Sequence, residues 1–402
     1  MISTRWRAPG AVLILFAGCI SSANATNVVL DSEQRAAAAV LTAIRLRAEV
    51  PLQVAGLTYG PKDYVERTLR LLETEFSPEA LRQARGGVLV SCPGGGSLRA
   101  RLSRTTHVLD IDWNECSFQP EGTRTLLTGP ARVTLCEDDL TPDIVTQLSV
   151  GNSSRDLVVR TSFGGAPPDP NGQTARNVRL AGQITLGRAS VDYPFDGSFS
   201  YSLDGYYFVK GRSRMGVPGE VYQDVEVRLT ASHAWVSGTM EHGDLGWRED
   251  VRINLGNFSS RTYYGPVLDQ PEIIYSSGFD AVALRVANSG DYMVDSESFE
   301  ISGWANYQYR ENESMSCANG GYAFKTRIPA RYPSEFEYGP DSFDQGEIQI
   351  NGSTVARFSA NADPAEVGEM HVGLDVARVG SFAYDGNGFW ETQIPSVAQC
   401  SN

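Results

Sequence analysis

The chain has 402 residues, 41% of them hydrophobic and 20% charged, and 34 basic against 48 acidic side chains leave a formal charge of −14. That is enough apolar material for a sizeable core, as one large β domain or a few smaller ones; it excludes wholesale disorder, and 20 scattered prolines exclude a long coiled coil. The acidic balance repels phosphate backbones and anionic bilayers, so no nucleic-acid partner is expected.

Residues 1–25 read as an export signal. Arg5 and Arg7 form a basic start, Ala11 to Ile20 an apolar run, and Ala23-Asn24-Ala25 a small-x-small cleavage pattern. The apolar run is about half of the roughly 20 residues that a membrane-spanning helix needs. Inside the same segment, Leu15-Phe16-Ala17-Gly18-Cys19 resembles a bacterial lipobox with Phe16 in place of the usual leucine. Cleavage after Ala25 and lipidation of Cys19 are therefore alternatives, and both take the protein out of the cytoplasm. Membrane contact is expected only through such a lipid anchor.

A helical segment is predicted over residues 26–86. Asp31-Ser32-Glu33-Gln34 has the form of a capped start, and Val40, Leu41, Ile44 and Ala48 share one face of the alanine-rich run that follows. Pro51 is expected to end this helix. A second is expected to begin near Pro61, with Val65, Leu69, Leu72 and Phe76 at helical spacing. A short third is expected from Ser77-Pro78 to Gly86-Gly87.

Residues 87–402 carry a period of two. Leu98, Ala100 and Leu102 alternate with Arg99 and Arg101, and Val251, Ile253 and Leu255 with Arg252 and Asn254. One apolar and one wet face per strand is the pattern of antiparallel sheet. The predicted fold class is mainly β: a large antiparallel, curled sheet or sandwich preceded by a short N-terminal helical segment. The β domain divides into two halves, if at all, near residues 256–272. Gly129, Gly182, Gly238, Gly303 and Gly352 each follow an aliphatic residue by two positions, which suits repeated hairpins with glycine at bulges or close approaches. The ending Gln399-Cys400-Ser401-Asn402 is not the aromatic strand end of an outer-membrane barrel, so a soluble sheet is expected.

Besides Cys19 there are five cysteines, none in a C-x-x-C pair, so a structural zinc site has little support. In an exported chain, disulfides are the default. Cys92 and Cys116 form the best pair because they end strand-like runs joined by one more such run, and Cys317 with Cys400 is the second pair. Cys136 is left as the odd thiol.

Val90-Ser91-Cys92-Pro93-Gly94-Gly95-Gly96, Asn114-Glu115-Cys116, Gly346-Glu347-Ile348-Gln349-Ile350-Asn351-Gly352 and Val372-Gly373-Leu374-Asp375 follow the alanine-rich helical lead in that order. Together they resemble a class of exported proteins and lipoproteins of Gram-negative bacteria that has no assigned activity. The resemblance implies a large β-sheet body located in the periplasm, at the outer-membrane surface or outside the cell, and it transfers no catalytic or binding residues.

The sequence contains no G-x-S-x-G elbow, P-loop or S-x-x-K motif, and its four histidines lack the spacing of a helical metal site. The densest local cluster is Glu241-His242-Gly243-Asp244 with Glu249 and Asp250, flanked by Trp235 and Trp247. Aromatics beside paired carboxylates suit sugar binding or glycoside hydrolysis, whereas the plainer reading is a hairpin turn with solvated charges. Asp385, Asn387 and Glu391 are the calcium candidates; no other cofactor is expected. The expected function is a structural or ligand-binding role in the envelope or at the cell surface, leaning away from an enzyme, with a carbohydrate or another envelope protein as partner. A carbohydrate-active hydrolase or lyase on a β scaffold and a calcium-stabilised adhesive module are the alternatives.

Overall fold

The computed structural model describes residues 33–119, 124–136, 140, 144–162, 172–185, 197–214, 222–243, 246–268, 271–291, 294–312, 314–315, 319–332, 345–352, 354–359, 368–374 and 377–384. Residues 1–25, read above as an export signal, and Cys19 within them lie outside the described residues, as do Asp244, Cys317, Asp385, Asn387, Glu391 and Cys400; so do the side chains of His242 and Trp247.

Two helices, α1 (Glu33–Glu75) and α2 (Pro78–Gln83), precede the strands. The first strands are β1 (Val88–Ser91), β2 (Ser97–Leu102), β3 (Val108–Cys116), β4 (Arg124–Leu135), β5 (Ile144–Val150) and β6 (Leu157–Ser162). Longer ones follow: β7 (Gln173–Thr185), β8 (Gly197–Arg214), β9 (Tyr222–Gly243), β10 (Gly246–Tyr264), β11 (Ile273–Asp291) and β12 (Val294–Glu311). The series closes with β13 (Ser314–Met315), β14 (Gly320–Tyr332), β15 (Gln345–Ile350), β16 (Thr354–Ser359), β17 (Gly368–Leu374) and β18 (Ala377–Tyr384).

All strand pairs are antiparallel, and they form one sheet in near-sequential order. The order branches where β4 pairs with β6 along its first half and β5 along its second, and β7 takes up both; β12 likewise pairs with β13 at its end and with β14 along the rest. Residues 256–272 include the end of β10, which pairs with β11 from Trp247 opposite Gly290 to Tyr264 opposite Ile273. The alternation read from the sequence sets the two faces. On β2, Leu98, Ala100 and Leu102 are buried while Arg99 and Arg101 are exposed. Irregularities in register bend the long strands. One lies between Asp280 and Ala283 of β11, where Gly303 of β12 sits at φ 112° and a side chain would collide with the Ala281 carbonyl.

The helical lead differs from expectation in one respect. Pro51 does not end a helix, and none starts at Pro61, because α1 runs through both prolines as a single 43-residue element. A proline inside a helix costs about 3 kcal/mol locally. Packing outweighs that here: Val50, Val54, Leu57, Val65, Leu69 and Leu72 are all buried in the core. At α2, Ser77 caps as expected, its hydroxyl accepting from the Ala80 N–H at 3.3 Å, with Pro78 in the first turn.

The helix α1 crosses the strands along the inner face. Gln53 bonds Ser260 on β10, Thr58 meets Tyr201 on β8, Gly60 underlies Arg176 on β7, and Thr68 accepts from Trp113 on β3. From Gln53 to Thr68 the helix rises about 22 Å, while the sheet path from β10 to β3 is roughly 29 Å. The longer path belongs to the sheet, so the sheet curls around the helix. Further contacts of α1 with β12, β15, β16 and β17 continue the same seam. Between them lies the core, with Trp113, Tyr307, Tyr322 and Phe299 as its largest fully buried side chains.

Cys92 and Cys116 are joined, with Cα atoms 5.5 Å apart. The glycine turn between β1 and β2 folds onto the end of β3, where Gly94 donates to the Ser117 carbonyl and Ser117 to that of Gly95. Closing this loop stabilises the fold by about 3 kcal/mol. Cys136 is an exposed free thiol.

Candidate functional site

Of the carboxylates picked out from the sequence, Glu241, Glu249 and Asp250 lie on the paired strands β9 and β10, where strand geometry sends Glu249 and Asp250 apart. Successive residues of a strand point to opposite faces. Asp250 is on the outer face, whereas Glu249 is in phase with Val251 and Ile253 on the inner side. Glu241 is exposed directly opposite exposed Arg248. Trp235 stands on the outer face at 43% exposure. Asp250 lies across from Thr239, roughly 13 Å further along the strand from that indole.

Asp250 is also engaged. Its two carboxylate oxygens accept from Nε and Nη2 of Arg285 on β11 at 3.0 and 2.8 Å, and Arg285 Nη1 reaches Glu300 on β12 at 2.9 Å. The Arg285 hydrogen bonds hold the Asp250 carboxyl below the usual range, against a smaller upward push from burial. The mirror arrangement occurs on β14–β16, where Glu347 accepts from Arg357 at 2.9 Å and from Arg327 at 3.3 Å. Arg357 is the larger cause of the lowered Glu347 carboxyl. These three-residue ladders stitch neighbouring strands together across the outer face.

The inner face holds the feature that the sequence reading missed. Arg176 of β7 is only 8% exposed, and among the described residues it has no carboxylate partner. Its guanidinium lies over the Tyr207 ring at 4.8 Å and the Tyr64 ring at 5.8 Å, and its Nε and Nη1 are buried without an acceptor. Gly60 of α1 makes the room, since a Cβ there would overlap Arg176 Nη1. One signal was legible: Arg176 is in phase with Val178 and Leu180, which are buried.

Around this arginine, a polar seam runs between helix and sheet. Gln53 Nε2 donates to Ser260 Oγ at 3.2 Å, Ser260 and Ser277 share a hydrogen bond of 2.6 Å, and the Thr58 and Tyr201 hydroxyls meet at 3.3 Å. Trp113 Nε1 donates to Thr68 Oγ1 at 3.1 Å. Burial pulls the Lys62 ammonium down to about 8, against an upward pull from Glu66 and Asp63. The same burial pushes the Tyr64 phenol up, and Arg176 opposes that rise. Chemically the seam can fix the rotation of α1 on the sheet, and it keeps positive charge where an anionic group would be held strongly.

Among the described residues no cluster of histidine, cysteine and carboxylates could hold a metal ion, and no helix is long and apolar enough to cross a membrane. No family model, curated protein or solved structure matches this chain.

Proposed function

We propose that this is an exported protein of the Gram-negative envelope or cell surface, with a structural or ligand-binding role and no enzymatic activity. The observation that carries the reading is the Cys92–Cys116 disulfide, a bond that persists in oxidising compartments and is rare where thioredoxin and glutathione act. The non-enzymatic half is supported by Asp250: Arg285 holds its carboxyl low, which is the wrong direction for a glycosidase acid, and occupies both of its oxygens, which a nucleophile or base needs free. Intact mass of the protein recovered from its host, before and after reduction, tests the proposal. The expected result is loss of residues 1–25 or a lipid on Cys19, with a gain of two mass units per disulfide on reduction. A full-length, fully reduced chain in the cytosol overturns export. Turnover of a hydrolase substrate abolished by one carboxylate substitution overturns the non-enzymatic role.

A carbohydrate partner is the second reading, favoured by Trp235, whose exposed indole is the kind of face on which a sugar stacks. It predicts that Trp235→Ala weakens retention on immobilised polysaccharide. Calcium at Asp385, Asn387 and Glu391 predicts a melting temperature that falls with excess chelator.

A further inference from the structure

Arginine is distributed unevenly over the outer face. Where α2 ends against β2 and the β2–β3 turn, a groove of about 690 Å³ is lined by Arg82, Arg85, Arg101, Arg104 and Arg132, with Asp110 the one acid among its walls. This concentration stands on a chain whose net charge is −14.

The pairing within the groove leaves charge over. Asp110 faces Arg101 across β2–β3 and Arg132 across β3–β4, and its carboxylate goes to Arg132, at 2.7 Å. Arg101 is thereby left without a side-chain hydrogen bond or ion pair among the described residues, and Arg85 is in the same state. Arg104 Nε donates to the Arg82 carbonyl at 3.2 Å, which ties the β2–β3 turn to the end of α2 and fixes the two walls relative to each other. Ser103 Oγ accepts from the Thr105 and Thr106 N–H groups, so the turn that places Thr105 and Thr106 in the groove wall is itself held.

We propose that this groove binds a small ligand through a phosphate group, presented either by a free phosphorylated molecule or by a lipid headgroup. Guanidinium forks match phosphate oxygens two at a time, and several forks around one concavity suit a multiply charged tetrahedral anion better than a single carboxylate. The volume falls in the range of small-molecule sites and is too small for a nucleic-acid duplex. Arg85 and Arg101 supply the uncommitted charge, Arg132 and Arg104 are part-committed, and Thr105 and Thr106 add neutral donors.

The test uses the oxidised protein, calorimetric titration with pyrophosphate, and sedimentation with vesicles of phosphatidylcholine alone or with phosphatidic acid. Pyrophosphate is expected to bind with a Kd below about 1 mM at low salt and more weakly as salt rises. Arg85→Gln and Arg101→Gln are each expected to weaken binding by about tenfold or more, and Arg101→Lys by less. Arg261→Gln removes an exposed charge on β10 and is expected to change nothing. All three side chains replaced, Arg85, Arg101 and Arg261, are on the surface, and an unchanged melting temperature confirms folding. Sedimentation with phosphatidic acid that Arg101→Gln abolishes identifies a headgroup; pyrophosphate binding without sedimentation identifies a free ligand. Absence of binding in both arms, undiminished binding in the Arg85→Gln, Arg101→Gln double variant, or tighter binding of citrate than of pyrophosphate overturns the proposal.

Discussion

Arg176 and Arg285 are both mid-strand arginines of one sheet, yet they are held in opposite ways. Arg285, on the outer face, is bonded by two carboxylates from the neighbouring strands. Arg176, on the inner face, lies between two tyrosine rings under a glycine of α1, with two buried donors unsatisfied. On the outer face, charge is an adhesive between strands, with one side chain held by two of opposite sign from the neighbouring strands. On the inner face it is a liability accepted at the junction with the helix, because an unpaired buried charge is destabilising while a matched apolar residue is not. The groove beside α2 is a third case, where charge is neither balanced nor buried.

The contrast can be broken most strongly at Lys62. Its folded value of about 8 lies below the ordinary 10.5, so between those values the unfolded chain binds more protons and stability rises with pH. Lys62→Met should be more stable than the parent at pH 7 by up to about 3 kcal/mol, with the gain shrinking across that window. Urea melts at pH 7 and pH 10 measure it; a constant gain refutes the burial argument.

On the outer face, Glu347→Gln leaves Arg327 and Arg357 facing a neutral amide and should cost about 2 kcal/mol at neutral pH. Glu347 has a lowered folded value, so its contribution is present above the ordinary carboxylate range and is lost as pH falls through the folded value. Parent and variant should therefore converge in acid.

A smaller effect sharpens the junction itself. Gly60→Ala should destabilise by about 1–2 kcal/mol because the methyl displaces the Arg176 guanidinium. In an Arg176→Ala background the same change should stabilise by up to about 1 kcal/mol, since only the helix propensity of alanine remains. An unchanged sign in the two backgrounds would mean that Gly60 does not serve Arg176. The smallest expected effects are a loss of about 1 kcal/mol for Arg285→Met and no loss for Arg176→Met.

Much of the sheet was readable in advance, because its inner face is apolar at every second residue and its outer face is not; β2 and β10 are examples. The Cys92–Cys116 pair was readable for a related reason: neighbouring strands of a meander bring their ends together. The course of α1 was not. Pro51 and Pro61 carry a local signal to stop, and only the strands that bury both sides of each proline override it. The facing of the clustered carboxylates was hidden for the complementary reason. Adjacency in sequence suggested a shared site, but adjacency along a strand sends Glu249 and Asp250 to opposite faces. Arg176 carried a weak signal, an arginine in phase with buried valine and leucine.

Local chemistry thus determined the elements: period two made strands, helical spacing made the lead helical, and spacing along a meander paired two cysteines. Tertiary structure decided what each charge does. Whether an arginine is neutralised, buried without a partner, or left over beside others depends on which residues the register places across from it, and register is a property of paired strands that no single segment contains.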